Sequence, residues 1–235
     1  MFLTQKQLND REKDICFRTI SSKAIFAVVG DAVKAAKGMS IIRMGDGEAR
    51  LLKAPDGQPF DAFEQRHSGW NKRMGIDGLS IETIKKNILA AGNTCTYFAP
   101  SVSGISRVEY ALHDSFHDRD VYFDNFFVND WAKEMITMLL TASNGVFIIH
   151  KDYDTLIENF VKHYDLPASS FAGFAKLDWR DNDAAVQAAV KSGKQLVLFS
   201  AGPAGKIIGP EIAKHGRVVL DIGNTLPGWS TGTPR

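Results

Sequence analysis

The chain has 235 residues, 44% of them apolar and 23% charged; that is enough to bury the core of one large α/β domain, and it excludes a disordered or collagen-like chain. A net charge of +1 gives no global pull toward nucleic acid or an acidic membrane, although a local basic groove is compatible with it. Cys16 and Cys95 show no CxxC or zinc spacing, the start lacks a signal-peptide apolar core, and no apolar run reaches membrane-spanning length, so the expectation is a cytoplasmic protein with reduced thiols.

Residues 1–20 read as an N-terminal helical arm, polar with apolar points at Leu8 and Ile15. Ser21-Ser22 can cap a helix through Ile25, Val29 and Val33 to Gly38, with one apolar stripe. Ser40 to Met44 is a short buried strand, broken by Gly45-Asp46-Gly47-Glu48, and Ala49 to Lys53 starts a helix. From Ala54 to Leu79 glycines and prolines punctuate Phe60, Phe63, His67 and Trp70, and no period emerges. A long irregular connection costs ordering entropy that a role such as facing a substrate would offset; a peripheral excursion pinned by aromatics is the alternative.

Ser80 caps a helix ending at Gly92, and Thr94 to Ala99 is β-rich. Residues 101–117 can form a helix with Val102, Ile105, Val108, Tyr110 and Leu112. A strand at 121–123 and a helix from Asp130 to Leu140 follow. Val146-Phe147-Ile148-Ile149 has the continuous apolar run of a central parallel strand. The rhythm then repeats: helix from Asp152 to Tyr164, strand Ser170–Phe174, helix Asp181–Lys191, strand Lys194–Phe199, helix Ala204–His215, strand Arg217–Ile222. Residues 225–235 read as a C-terminal tail. Alternation with short connections predicts a single α/β domain over 1–235, with a mostly parallel sheet, helices on both faces, and ligands at the carboxyl ends of the strands.

Two constellations carry chemistry. In the first, Asp46 and Glu48 project from one face if the backbone stays extended, and Gly45 and Gly47 keep the approach open. Two hard oxygen donors facing one point suit Mn²⁺ or Mg²⁺, and Arg43 adds a fork of donors for phosphate. The alternative is a tight turn whose acids are solvated or cap the next helix. In the second, a strand runs into Ser200-Ala-Gly202-Pro203-Ala204-Gly205-Lys206, and the next strand ends at Asp221. Amides opening a helix favour phosphate oxygens, Gly202 and Gly205 allow close approach, and Lys206 can add charge; such a turn can equally serve sterics alone. It is neither a Walker loop nor a complete G-x-G-x-x-G fingerprint. Asp221 can meet a ribose, a metal or an acceptor hydroxyl, or pair with a lysine. His150 and Asp152 fall on the same strand edge. His113 and His117 are four apart but lack the Glu of H-E-x-x-H. Trp70, Trp131, Trp179 and Trp229 read as packing residues, with Trp229, in a polar tail, the one to watch for stacking on a base or sugar.

Arg43-Met-Gly-Asp-Gly-Glu48 resembles the R-x-G-D-G-E segment, with its D-x-E metal motif, of the GT-D type glycosyltransferases, a Rossmann-like family first met as a domain of unknown function. Ser200-Ala-Gly-Pro-Ala204 and Leu220-Asp-Ile-Gly223 are similar to that family's later glycine-proline turn and D-I-G strand end. The chain departs from the family at Asn224-Thr225-Leu226, where a His and an acid are usual. The resemblance implies transfer of a sugar from a nucleotide diphosphate sugar, such as a UDP-sugar, to a glycan, glycoprotein or modified nucleobase. Asp46 and Glu48 would then hold Mn²⁺ or Mg²⁺ on the diphosphate, with Arg43 and the Gly202–Lys206 turn on the leaving group. If configuration inverts, a general base is needed, with Asp221, Asp152 and His150 as candidates. A metal-dependent phosphohydrolase or nucleotidyl transferase, and a non-catalytic nucleotide-binding module, are the competing readings.

Overall fold

The computed structural model describes residues 8–55, 75–102 and 115–233. The elements in chain order are α1 (Asp10–Arg18), β1 (Thr19–Ile20), α2 (Ser22–Lys34), β2 (Met39–Arg43), α3 (Asp46–Lys53), α4 (Ile81–Thr94), β3 (Tyr97–Ala99) and β4 (Tyr122–Phe123). They continue with α5 (Phe127–Asp130), α6 (Lys133–Ala142), β5 (Val146–Ile149), α7 (Tyr153–Tyr164), β6 (Phe171–Phe174), α8 (Asn182–Lys191), β7 (Leu196–Phe199), α9 (Gly202–Gly205), α10 (Ile208–Ala213), β8 (Val218–Asp221) and α11 (Leu226–Ser230). The irregular stretch with Phe60, Phe63, His67 and Trp70, and the helix expected through Ile105, Val108, Tyr110, Leu112 and His113, lie outside the described residues.

Six strands form one sheet in the order β3-β2-β8-β7-β5-β6, and every pairing is parallel. Alternating side chains feed two cores, which is why these strands read as unbroken apolar runs. Ile42, Ile149, Phe199 and Val219 face a core shared with α3, α4, α8 and α10. Ile41, Ile148, Leu198 and Leu220 face the other, shared with α2, α6, α7 and α11. In-register pairing of Arg43 with Ala99, Ile149 with Phe199 and Phe174, and Phe199 with Asp221 brings the carboxyl ends of all six strands to one edge.

Several elements differ from the sequence reading. β4 pairs with β1 in a separate two-stranded sheet. α4 continues through Gly92 to Thr94, and Gly92 marks a packing contact, because a side chain there would meet the Phe116 ring. The helix expected over Asp130–Leu140 starts only at Lys133 as α6, and Asp130 instead ends the short α5, with the fully buried Trp131 between them donating its indole N–H to the Ser22 carbonyl at 3.1 Å. The helix expected over Ala204–His215 is also two helices: Pro210 has no N–H to offer Lys206, so it sits in the first turn of a new helix. Residues 226–230, expected in a tail, form α11. Its Trp229 is fully buried, 5.5 Å from Trp131 between ring centroids, and donates to the Val128 carbonyl at 2.8 Å. Trp229 is a core residue and cannot stack on a ligand.

Candidate active site

A cleft of about 490 Å³ opens at the carboxyl edge of the sheet. Arg43, Gly45, Asp46, Gly47 and Glu48 line one side, and Ser200, Gly202, Pro203, Lys206, Asp221 and His150 line the rest. The two constellations, some 150 residues apart in sequence, therefore share one site. Ala204 and Gly205 are buried and lie behind the lining, and Asp152 is outside it, with its side chain 59% exposed.

The first constellation differs from the extended segment expected. Gly45 is the N-cap of α3, Asp46 its first residue and Glu48 its third. Residues two apart on a helix do not face each other, so the carboxylates have separate partners. Glu48 turns back: its Oε2 accepts the Gly45 N–H at 2.8 Å, closing the helix start. Asp46 points outward, 60% exposed, with Arg50 Nη2 3.1 Å from its Oδ2. The capping alternative is thus realised for Glu48, and Asp46 remains the open carboxylate.

Lys206 ties the two constellations together. Its Nζ is 2.7 Å from Asp221 Oδ2 and 3.3 Å from Glu48 Oε1, and all three side chains are buried. Burial alone would lower the lysine's pKa, but Asp221 and Glu48 outweigh it and raise the value above 10.5. Asp221 Oδ2 also accepts the Arg43 backbone N–H at 3.2 Å. Asp221 Oδ2 is thus engaged by both a lysine and a backbone N–H. Arg43 is anchored too: Nε donates to Asn125 Oδ1 at 2.6 Å and to the Asn125 carbonyl at 2.7 Å, and Nη1 to the Ile222 carbonyl at 2.7 Å. Burial pulls the Arg43 guanidinium below its ordinary value, opposed by Asp221 and Glu48.

The glycine turn is shorter than expected. α9 is one turn long, so little dipole stands behind its amides. Gly202 has φ +66°, a conformation that favours glycine, and Gly205 lets Ala201 and Lys176 close in. His150 is lowered below its ordinary pKa by burial, with Asp152 opposing, and its Nδ1 accepts the Asp152 N–H at 3.0 Å. With Nδ1 accepting, a neutral ring carries its proton on Nε2.

The cleft lining also has residues not singled out in the sequence, Asn125, Phe126, Lys176 and Leu177, together with Gly223, Asn224 and Thr225 of the strand end and the departure that follows it. Asn125 joins the Arg43 guanidinium to the Met44 carbonyl, at 3.1 Å from Nδ2. No local pattern marks Asn125 or Lys176; both matter only because distant loops meet here.

Of the D-x-E pair only Asp46 is open to an ion, since Glu48 is held by the Gly45 N–H and Lys206. Among the described residues no group of three His, Cys, Asp or Glu can hold a metal. Mg²⁺-type ions, however, use one or two carboxylates and complete the shell with water and substrate phosphates. Asp46 fits that mode directly. Glu48 fits it if Lys206 leans toward Asp221, the nearer of its two partners.

No protein-family model matches the chain, and no curated protein does. Solved structures do. One, described as showing that the highly conserved domain of unknown function 1792 has a distinct glycosyltransferase fold, matches with a TM-score of 0.56 and 14% identity over 93% of this chain and 83% of that one. Another, described as a new glycosyltransferase of the same domain type from Streptococcus sanguinis, matches with a TM-score of 0.54 and 14% identity over 90% and 82%. At such identities the likeness is one of fold, and this chain has the glycosyltransferase fold described for that domain.

Proposed function

We propose that the protein is a glycosyltransferase, acting in the cytoplasm as one domain over residues 1–235. It would move a sugar from a nucleoside diphosphate donor, a UDP-sugar in the first instance, to an acceptor hydroxyl on a glycan or glycoprotein, with a modified nucleobase as a further acceptor. The observation that carries this reading is the Glu48–Lys206–Asp221 bridge in a polar cleft at the carboxyl edge of this fold. It places the acidic turn and the glycine turn around one ligand-sized space.

In the reaction the bond between the anomeric carbon and the diphosphate oxygen breaks, its electrons stay on the diphosphate, and the acceptor oxygen bonds to the carbon as its proton leaves. The chain's contribution is positioning and charge. The Ser200–Gly202 backbone and the remaining Arg43 donors would face the diphosphate. Glu48 and Asp221 would hold Lys206 and Arg43 in place, with Asp221 a positioning group rather than the base. Asp46 and Glu48 would hold Mn²⁺ or Mg²⁺, which when bound neutralises charge on the departing diphosphate.

The test is turnover with Mn²⁺ across a panel of nucleotide sugars, reading nucleoside diphosphate release with and without acceptor. Release confined to particular sugar nucleotides and increased by an acceptor is the expected outcome. Phosphate release from many nucleotides would point to a phosphohydrolase instead, and binding without turnover to a nucleotide-binding module. Asp46→Asn should lower kcat/KM by about 100-fold, the scale of losing one group that meets developing charge.

A further inference from the structure

Lys176 is a second buried lysine of the cleft, and its surroundings differ from those of Lys206. It follows β6 and is only 7% exposed. Its Nζ donates to the Asp178 carbonyl at 2.9 Å and to the Ala201 carbonyl at 3.4 Å, and among the described residues no carboxylate lies within ion-pair distance. An ammonium has three N–H donors, so one is left over. A side chain built on Gly205 would come within 3.3 Å of Nζ, so the ammonium stands against the Ala201–Gly205 turn that borders the cleft.

The charge balance gives this placement a consequence. Arg43, Lys151, Lys176 and Lys206 bring four positive charges to the cleft lining, against the three of Asp46, Glu48 and Asp221. Lys206 has its charge neutralised by two carboxylates, whereas Lys176 is a buried cation with no carboxylate in ion-pair contact among the described residues. A buried charge is tolerated when something pairs with it, and among the described residues Lys176 has two carbonyls and only the more distant charges of Asp181 and Asp178, so a bound anion would supply the closer partner.

We propose that Lys176, rather than Lys206, is the cation that contacts the diphosphate of the bound nucleotide, beside the backbone of the Ser200–Gly202 turn. This rests on the donor reading above and deepens it. Burial, opposed by Asp181 and Asp178, also lowers Lys176 to about 8, the opposite direction from Lys206, as befits a cation that gains its counter-charge only on binding.

The experiment is calorimetric titration of wild type, Lys176→Met and Lys176→Gln with UDP, inorganic pyrophosphate and uridine at pH 7, alongside thermal melts. Lys176→Gln keeps N–H donors for the two carbonyls and removes only the charge. Expected are a loss of at least about tenfold in UDP and pyrophosphate affinity in both variants, unchanged uridine affinity, and a melting temperature that holds or rises in Lys176→Met because an unpaired buried charge is gone. UDP affinity in Lys176→Gln within twofold of wild type would overturn the assignment and leave the glycosyltransferase reading standing. A wild type that binds neither UDP nor pyrophosphate would overturn both. Equal losses for UDP and uridine would reduce Lys176 to a clamp between loops.

Discussion

Replacing Lys206 by methionine would leave Glu48 and Asp221 buried and facing each other without a cation. Breaking a buried pair in this way costs about 3–5 kcal/mol, far more than an exposed pair such as Lys214–Glu211 is worth. The midpoint of urea unfolding at pH 7 checks it, and an unchanged midpoint would mean that the bridge is dispensable. The pH dependence has a definite sign. The folded pKa of Lys206 lies above its ordinary 10.5, so the stability it contributes is complete below that value and is lost as pH rises through the folded one. Wild type should therefore shed this component in the alkaline range, and Lys206→Met should not. Gly223 shows the same economy at the backbone. Its φ of +49° costs any other residue about 1–2 kcal/mol, and a side chain there would lie 3.2 Å from Arg43 Nη1. Gly223→Ala should lower the melting temperature and, by displacing the guanidinium, raise KM for the donor; a steady-state assay reads the second effect.

At the level of elements, local preference and tertiary contact can be set against each other in α4. Gly92→Ala in an ordinary helix gains about 1 kcal/mol. Here the added carbon would stand 2.2 Å from the Phe116 ring, and overpacking a filled core costs about 1–3 kcal/mol. The expected net effect is destabilisation, read by thermal melting, and a stabilised variant would show that the ring has room to move. The same contest explains which elements were legible. Val146–Ile149 appears in the structure with the bounds its apolar run predicted, because two buried faces leave no polar residue to blur them. Ser21 and Ser80 were readable as caps because their hydroxyls bond within three residues, to Ala24 and Thr83 at 3.2 Å each. Gly45–Glu48 was readable as a break, with a cap on the next helix as one of two alternatives. Glycines on both sides leave the backbone open to either form, and the choice came from Glu48 reaching back to the Gly45 N–H. α11 was hidden for another reason: five residues containing Pro and Gly have no helical signal, and what holds them is Trp229 packing on Trp131.

Across the whole molecule, the sheet edge was legible from strand alternation, whereas the wiring of the cleft was not. Asp221 and Lys206 could be named because each ends or follows a strong strand, but their joining to Glu48 depends on β2 and β8 lying side by side. Lys176 and Asn125 come from loops whose meeting no local pattern encodes. That wiring makes cation and nucleotide interdependent. Without ligand the protein offers a divalent ion one open carboxylate, Asp46, while Glu48 is shared with its own helix start and Lys206. On the proposed reading, a nucleoside diphosphate would add phosphate oxygens to the ion's shell and, by drawing charge from the cationic wall, would ease Glu48 away from Lys206. Mn²⁺ alone should thus stabilise little, and Mn²⁺ with UDP much more than the two separate effects together. At concentrations about 100 times the dissociation constant the linkage is worth about 2.7 kcal/mol, roughly 5–10 °C in melting temperature for a chain of this size. Differential scanning fluorimetry over a matrix of Mn²⁺ and UDP concentrations measures the coupling. Strictly additive shifts, or a full shift with Mn²⁺ alone, would mean that the cation has a preformed protein site, and the shared-shell picture of this cleft would fail.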